Sequence, residues 1–70
     1  MAINYQYVYA EIDPATKMCI GVYSSTAPNT LNPNFIEIPV YDENYALKYY
    51  IDGAWYEDAE GTIPWESSLL

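Results

Sequence analysis

From Ile3 to Ile12 the chain alternates, placing Ile3, Tyr5, Tyr7 and Tyr9 on one face and Asn4, Gln6, Val8, Ala10 and Ile12 on the other. A period of two in residues of this kind predicts a β-strand. Asp13-Pro14-Ala15-Thr16 follows, with aspartate at the first turn position and proline preset for the second, so the chain reverses. The run Met18 to Tyr23 makes the return strand of a hairpin, with Met18, Ile20 and Val22 on one side and Cys19, Gly21 and Tyr23 on the other. Between Ser24 and Asn34 the composition shifts to Ser, Thr, Pro and Asn, and two prolines interrupt any ladder, so this stretch reads as a long loop. Phe35 to Val40 alternates again, with Ile36, Ile38 and Val40 toward a core and Pro39 marking an edge or a strand end.

Asp42-Glu43-Asn44-Tyr45-Ala46-Leu47 supports one helical turn capped by Asp42. Next comes the sharpest local signal, Asp52-Gly53 between two aromatic runs, which a type I′ hairpin requires. A two-residue loop sets the register: Ile51 opposite Ala54, Tyr50 opposite Trp55, Tyr49 opposite Tyr56 and Lys48 opposite Glu57. The expected fold is therefore mainly β, a small antiparallel meander of about five strands built from two hairpins and one strand, with at most one short helical turn. It occupies residues 1–58, and residues 59–70 form a C-terminal arm. Ile63, Trp65, Leu69 and Leu70 in that arm are costly to leave in water, so the arm should lie on its own sheet or on a neighbouring subunit.

Composition sharpens this picture. A chain of 70 residues buries a smaller fraction of its surface than a typical domain and needs a further source of stability. Cys19 is the only cysteine and there is no histidine, so neither an internal disulfide nor a structural zinc site supplies it. Oligomerisation or docking remains. Ten acids against Lys17 and Lys48 give a net charge of −8, which repels phosphate and argues against direct binding to nucleic acid or an anionic membrane. The first residues lack the basic and apolar segments of a signal peptide, and one unpaired cysteine suits synthesis in a reducing cytoplasm.

Catalysis is disfavoured by what is missing. Without histidine there is no ordinary base poised near neutrality, and without arginine no bidentate clamp for an anion. Cys19 sits among apolar strand residues with no cation near it in sequence and reads as a buried thiol. Glu11, Asp13, Asp52, Glu57 and Asp58 could supply a carboxylate pair, but so short a chain has little room for the cleft that glycoside hydrolysis needs. Asp42-Glu43-Asn44 and the acids of 57–60 lack the spacing of a calcium loop and read as solvent-facing. No cofactor and no metal is expected. Tyr50 and Trp55, the strand-one tyrosines Tyr5, Tyr7 and Tyr9, and the arm residues Ile63, Trp65, Leu69 and Leu70 are the candidates for partner binding.

Four segments carry a resemblance: Tyr7-Val-Tyr-Ala-Glu-Ile-Asp13, Cys19-Ile-Gly-Val22, Phe35-Ile-Glu-Ile-Pro39 and Leu47-Lys-Tyr-Tyr-Ile-Asp-Gly-Ala-Trp55. In that order the chain resembles short proteins encoded near the tail genes of phages and prophages of gut bacteria. The resemblance implies a virion or tail-associated structural role, as a fibre, tip or adaptor, and a symmetric oligomer or a larger tail protein as partner. It carries over no catalytic or ligand residue, and the chain beyond Asp58 departs from the pattern. Two other functions suit the composition: a small acidic inhibitor that mimics nucleic acid before a basic cleft, and a carbohydrate-binding module built on Trp55 and its tyrosine neighbours.

Overall fold

The computed structural model describes residues 7–29 and 31–70, so Tyr5 and the start of the first expected strand lie outside the described residues. The architecture is mainly β, with five strands in two antiparallel sheets and one 3₁₀ turn. They are β1 (Tyr7–Ile12), β2 (Cys19–Ser25), β3 (Phe35–Glu37), η1 (Glu43–Tyr45), β4 (Tyr49–Ile51) and β5 (Ala54–Tyr56).

β1 and β2 form the first expected hairpin. Asp13 organises its turn by accepting the Ala15 N–H at 2.9 Å and closing backbone bonds to Met18 and Lys17. The long loop then carries the chain across, so that β3 pairs with the far side of β1 and the order becomes β2-β1-β3. β3 ends at Glu37, two residues before Pro39, yet Ile38 still donates to the Val8 carbonyl at 2.9 Å. Ile36, Ile38 and Val40 face the core as their alternation predicts.

Strict alternation fails in β2. Glu11 pairs with Gly21 while Ile12 pairs with Cys19, so Ile20 is an extra residue with no partner, a β-bulge. The bulge resets which side chains face inward. Cys19 and Val22 therefore both pack on the core although alternation sets them on opposite sides, whereas Ile20, on the same side as Val22 by alternation, is 51% exposed.

The second hairpin adopts the expected register: Tyr49 with Tyr56, Tyr50 with Trp55 and Ile51 with Ala54. Asp52 (φ 51°) and Gly53 (φ 83°) supply the two left-handed residues of the turn. Lys48 reaches Glu57 at 4.0 Å, beside the hairpin. The two sheets are sewn together by short bridges. Met18 pairs with Tyr49, the Cys19 N–H donates to the Lys48 carbonyl at 2.7 Å, and the Tyr50 N–H donates to that of Lys17 at 2.9 Å. At the far side the arm acts as one more strand, with Glu57 N–H on the Ile63 carbonyl and Trp65 N–H on that of Trp55.

Ala10, Ile12, Cys19, Ile38 and Tyr45 form the buried core, with Val8, Val22, Tyr50, Trp55 and Trp65 packed around it. Tyr45 lies at its centre because η1 delivers it there. Asp42 caps the turn by accepting the Asn44 N–H at 2.9 Å, and its other oxygen takes the Ser67 hydroxyl, so cap and arm share one buried carboxylate. Those two donors hold the Asp42 carboxyl below its ordinary value of 3.8. Tyr45 then meets Trp55 and Trp65 edge-on, each with ring centroids 4.9 Å apart. Such pairs contribute about 0.5–1.5 kcal/mol each beyond the area they bury.

Two outcomes follow for stability. Trp65→Ala should lower the free energy of unfolding by about 2–4 kcal/mol in urea titrations, whereas Leu70→Ala should change it by less than about 0.5 kcal/mol. Ser67→Ala removes a donor from a carboxyl whose native pKa is depressed, so that donor's contribution is present above pH 3.8 and is lost as pH falls through the lower native value. The gap between wild type and Ser67→Ala should therefore be constant from pH 7 to about 5 and close toward pH 2.

Candidate functional site

The face of the first sheet that points away from the core is aromatic. Alternation in β1 puts Tyr7 and Tyr9 there, β2 adds Tyr23 and β3 adds Phe35. The rings form a continuous series, with centroid distances of 6.5 Å for Tyr7 and Tyr9, 6.2 Å for Tyr9 and Phe35, and 5.5 Å for Tyr23 and Phe35. Tyr23 and Phe35 are nearly parallel, at 4°. Gly21 makes that stack possible. A Cβ at this position would lie 2.6 Å from the Tyr23 hydroxyl oxygen and under 3.0 Å from two ring carbons, so the ring rests directly on bare backbone. Its hydroxyl donates to Glu11 Oε1 at 3.1 Å, and the hydrogen bond and charge of that carboxylate raise the Tyr23 phenol above its ordinary 10.0.

Tyr7 and Tyr9 thus share a face, as their spacing predicts, but they are not equally available. Tyr7 is half-buried. Tyr9 is only 6% exposed, because Phe35 covers its ring and its hydroxyl accepts the Asn29 N–H at 2.8 Å. The long loop is pinned there by its own asparagines, with Asn29 accepting from Leu31 and Asn32, and Asn32 from Asn34. Tyr9 is therefore part of the fold and not a free contact residue. Tyr23, which strand alternation set beside Gly21 without a role, is the exposed member of the series at 46%.

Tyr50 and Trp55, the hairpin's candidates for partner binding, are partly buried. The structure turns both inward, against the core, with their ring centroids 5.0 Å apart and Trp55 edge-on to Tyr45. The bridges to β2 fix the second hairpin's orientation, and local alternation alone has no access to that choice. Part of the Trp55 surface is taken up by these contacts. The opposite hairpin face carries Tyr49 and Tyr56, and Gly61 of the arm packs over Tyr56 and Ile51. Asp58 folds this segment by accepting the N–H groups of Thr62 and Ile63 and the Thr62 hydroxyl, and these bonds depress its carboxyl below 3.8.

The arm divides by position. Trp65 is spent on Tyr45, and Lys48 Nζ lies over its indole at 5.2 Å. Ile63, Leu69 and Leu70 remain outside, Leu69 and Leu70 at 60% and 64% exposure. They are not loose, since the Leu69 N–H donates to the Ser67 hydroxyl, which in turn donates to Asp42. Leu47 was not anticipated in this group. It follows the Ala46 cap of η1 at φ 70°, an uncommon conformation for a bulky residue, and is 67% exposed, with its N–H on the Cys19 carbonyl beside Ile20. Exposed apolar residues thus lie on the segments bonded to either end of η1, Tyr41, Leu69 and Leu70 on the side of its Asp42 cap and Leu47 and Ile20 beyond its last residue, while Leu31 and Ile63 are exposed elsewhere.

Chemically reactive groups are few on this surface. Cys19 is fully buried, its thiol bonded to the Gly21 carbonyl at 3.3 Å and raised above 9.0 by burial. Among the described residues no three metal-ligating side chains converge, and no helix is long and apolar enough to cross a membrane. A half-open cavity of about 300 Å³ lies between the first turn and the second hairpin, lined by Ile12, Pro14, Lys17, Ile36, Tyr50 and Asp52 among others. No family model matches the chain, and neither the curated proteins nor the solved structures contain a match to it.

Gly21→Ala should force Tyr23 off its stack and away from Glu11. The Tyr23 phenol should then titrate lower, back toward its ordinary value, read from its ¹³Cζ resonance.

Proposed function

We propose that this chain is a non-catalytic assembly protein that acts by packing against another protein chain, either copies of itself or a larger component. The observation that supports this most directly is what the fold leaves uncovered. After the arm has docked, Ile20, Leu47, Leu69 and Leu70 are still more than half exposed, and Leu47 is held there in a strained backbone conformation. Exposed aliphatic groups on the segments bonded to one turn favour a contact surface. Burial of the lone thiol and the lack of histidine and arginine leave little machinery for chemistry. The resemblance of the four segments to phage tail-associated proteins makes a structural role in a virion, after synthesis in the host cytoplasm, the biological setting proposed for that assembly.

A second reading has its own support. Glu37, Glu43, Asp52, Glu57, Glu60 and Glu66 are all exposed, a distribution that also suits an acidic decoy for a nucleic-acid-binding cleft. The two readings differ in their response to salt. Sedimentation of the purified chain at micromolar concentration should show particles larger than the 8.0 kDa monomer, and raising NaCl from 0.05 to 0.5 M should strengthen association by screening the −8 charge on each copy. A stable monomer throughout would overturn self-assembly. Capture of a basic nuclease that weakens steeply with salt would favour the decoy.

A further inference from the structure

We propose that two copies of this chain join through the free edge of β2 in an antiparallel, twofold-symmetric pairing, which deepens the assembly reading and rests on it. The argument begins with backbone accounting. In β1, Val8 and Ile12 direct their backbone groups toward the β3 side, where the Val8 carbonyl accepts from Ile38 and the Ile12 N–H donates to Asn34. Tyr7, Tyr9 and Glu11 therefore exchange their bonds with Ser25, Tyr23 and Gly21 of β2. The same alternation points the N–H and C=O of Val22 and Ser24 off the opposite edge. Among the described residues nothing hydrogen-bonds to them. η1 and Lys48 close this edge only at its start, where Cys19 bonds to Leu47 and Lys48.

Sheet edges invite pairing unless they are short, charged or broken by proline. β3 spans only three residues, includes Glu37 and is followed closely by Pro39, and the arm covers β5. β2 is not short, charged or broken by proline, and its bulge at Ile20 and the cover from η1 and Lys48 lie at its start, ahead of Val22 and Ser24. Its seven residues, Cys-Ile-Gly-Val-Tyr-Ser-Ser, carry no charge and no proline. That matters for a second copy in particular, because two bodies of charge −8 can approach most closely where neither presents a carboxylate.

The pattern of free groups also selects a register. Val22 opposite the partner's Ser24, together with its symmetry mate, makes two pairs that each exchange both backbone bonds. Tyr23 then falls on the twofold axis, directly across from the partner's Tyr23. Its ring leans away from the edge, over Gly21 toward Phe35, so it leaves the edge clear while keeping an exposed flank toward the axis. The aromatic series of one copy would continue into that of the other across the outer face.

The test combines a variant with a measurement on the unmodified chain. Ser24→Pro deletes a donor that β1 does not use and should weaken self-association at least about tenfold in sedimentation equilibrium, with the tryptophan fluorescence of the core unchanged. In the wild type, amide exchange at Val22 and Ser24 should slow as concentration rises through the association range. A wild-type oligomer whose Val22 and Ser24 amides exchange equally fast at all concentrations would overturn this interface and leave the assembly reading standing. A Ser24→Pro chain with a native core and undiminished association would do the same. A wild type that stays monomeric would overturn both.

Discussion

Tyr45 is the residue on which the two sheets converge. It comes from a single 3₁₀ turn, yet Trp55 of the second hairpin and Trp65 of the arm both place an aromatic ring edge against it. A turn of three residues has no stability of its own. It holds because Asp42 caps it, Ser67 donates to that cap, and the core needs the ring it carries. Burial raises the Tyr45 phenol above its ordinary value, as an environment of this kind requires. Turn, hairpin and arm are thus mutually dependent.

This dependence explains how a chain with a single cysteine and no histidine closes a core. The two sheets alone would leave a small β2-β1-β3 layer and an isolated two-stranded hairpin, which is marginal in water. The bridges at Met18 and Tyr49, and at Tyr56 and Pro64, turn these pieces into one continuous surface with the arm as its last strand. Almost all large inward side chains are consumed in doing so. The outer face of the first sheet is covered by a series of rings packed on one another, with Tyr23 resting on the backbone of Gly21, and several aliphatic groups stay exposed.

Local chemistry was legible in the residues and longer-range choices were not. The Asp-Gly turn, its full register, the Asp42 cap, the strand-ending role of Pro39 and the inward set Ile36, Ile38 and Val40 all follow from interactions within a few positions. The bulge at Ile20 does not, because alternation counts residues and has no signal for one that is skipped. The same limit governs Tyr50 and Trp55. Their pairing is local, but which side of the hairpin faces the core is decided by contact with β2, more than twenty positions away. Leu47 is a third case, since nothing in Ala-Leu-Lys announces a left-handed residue, and only the junction of η1 with Cys19 imposes it.

Cys19 sits where β1, β2 and the second hairpin meet, with its sulfur against a carbonyl and no exposure to solvent. A thiol so placed is silent to modifying reagents while the fold is intact and reacts when the sheets separate. The chain thereby contains its own chemical clock: the rate at which a thiol reagent in excess consumes this single sulfur counts opening events, and it does so without any introduced label.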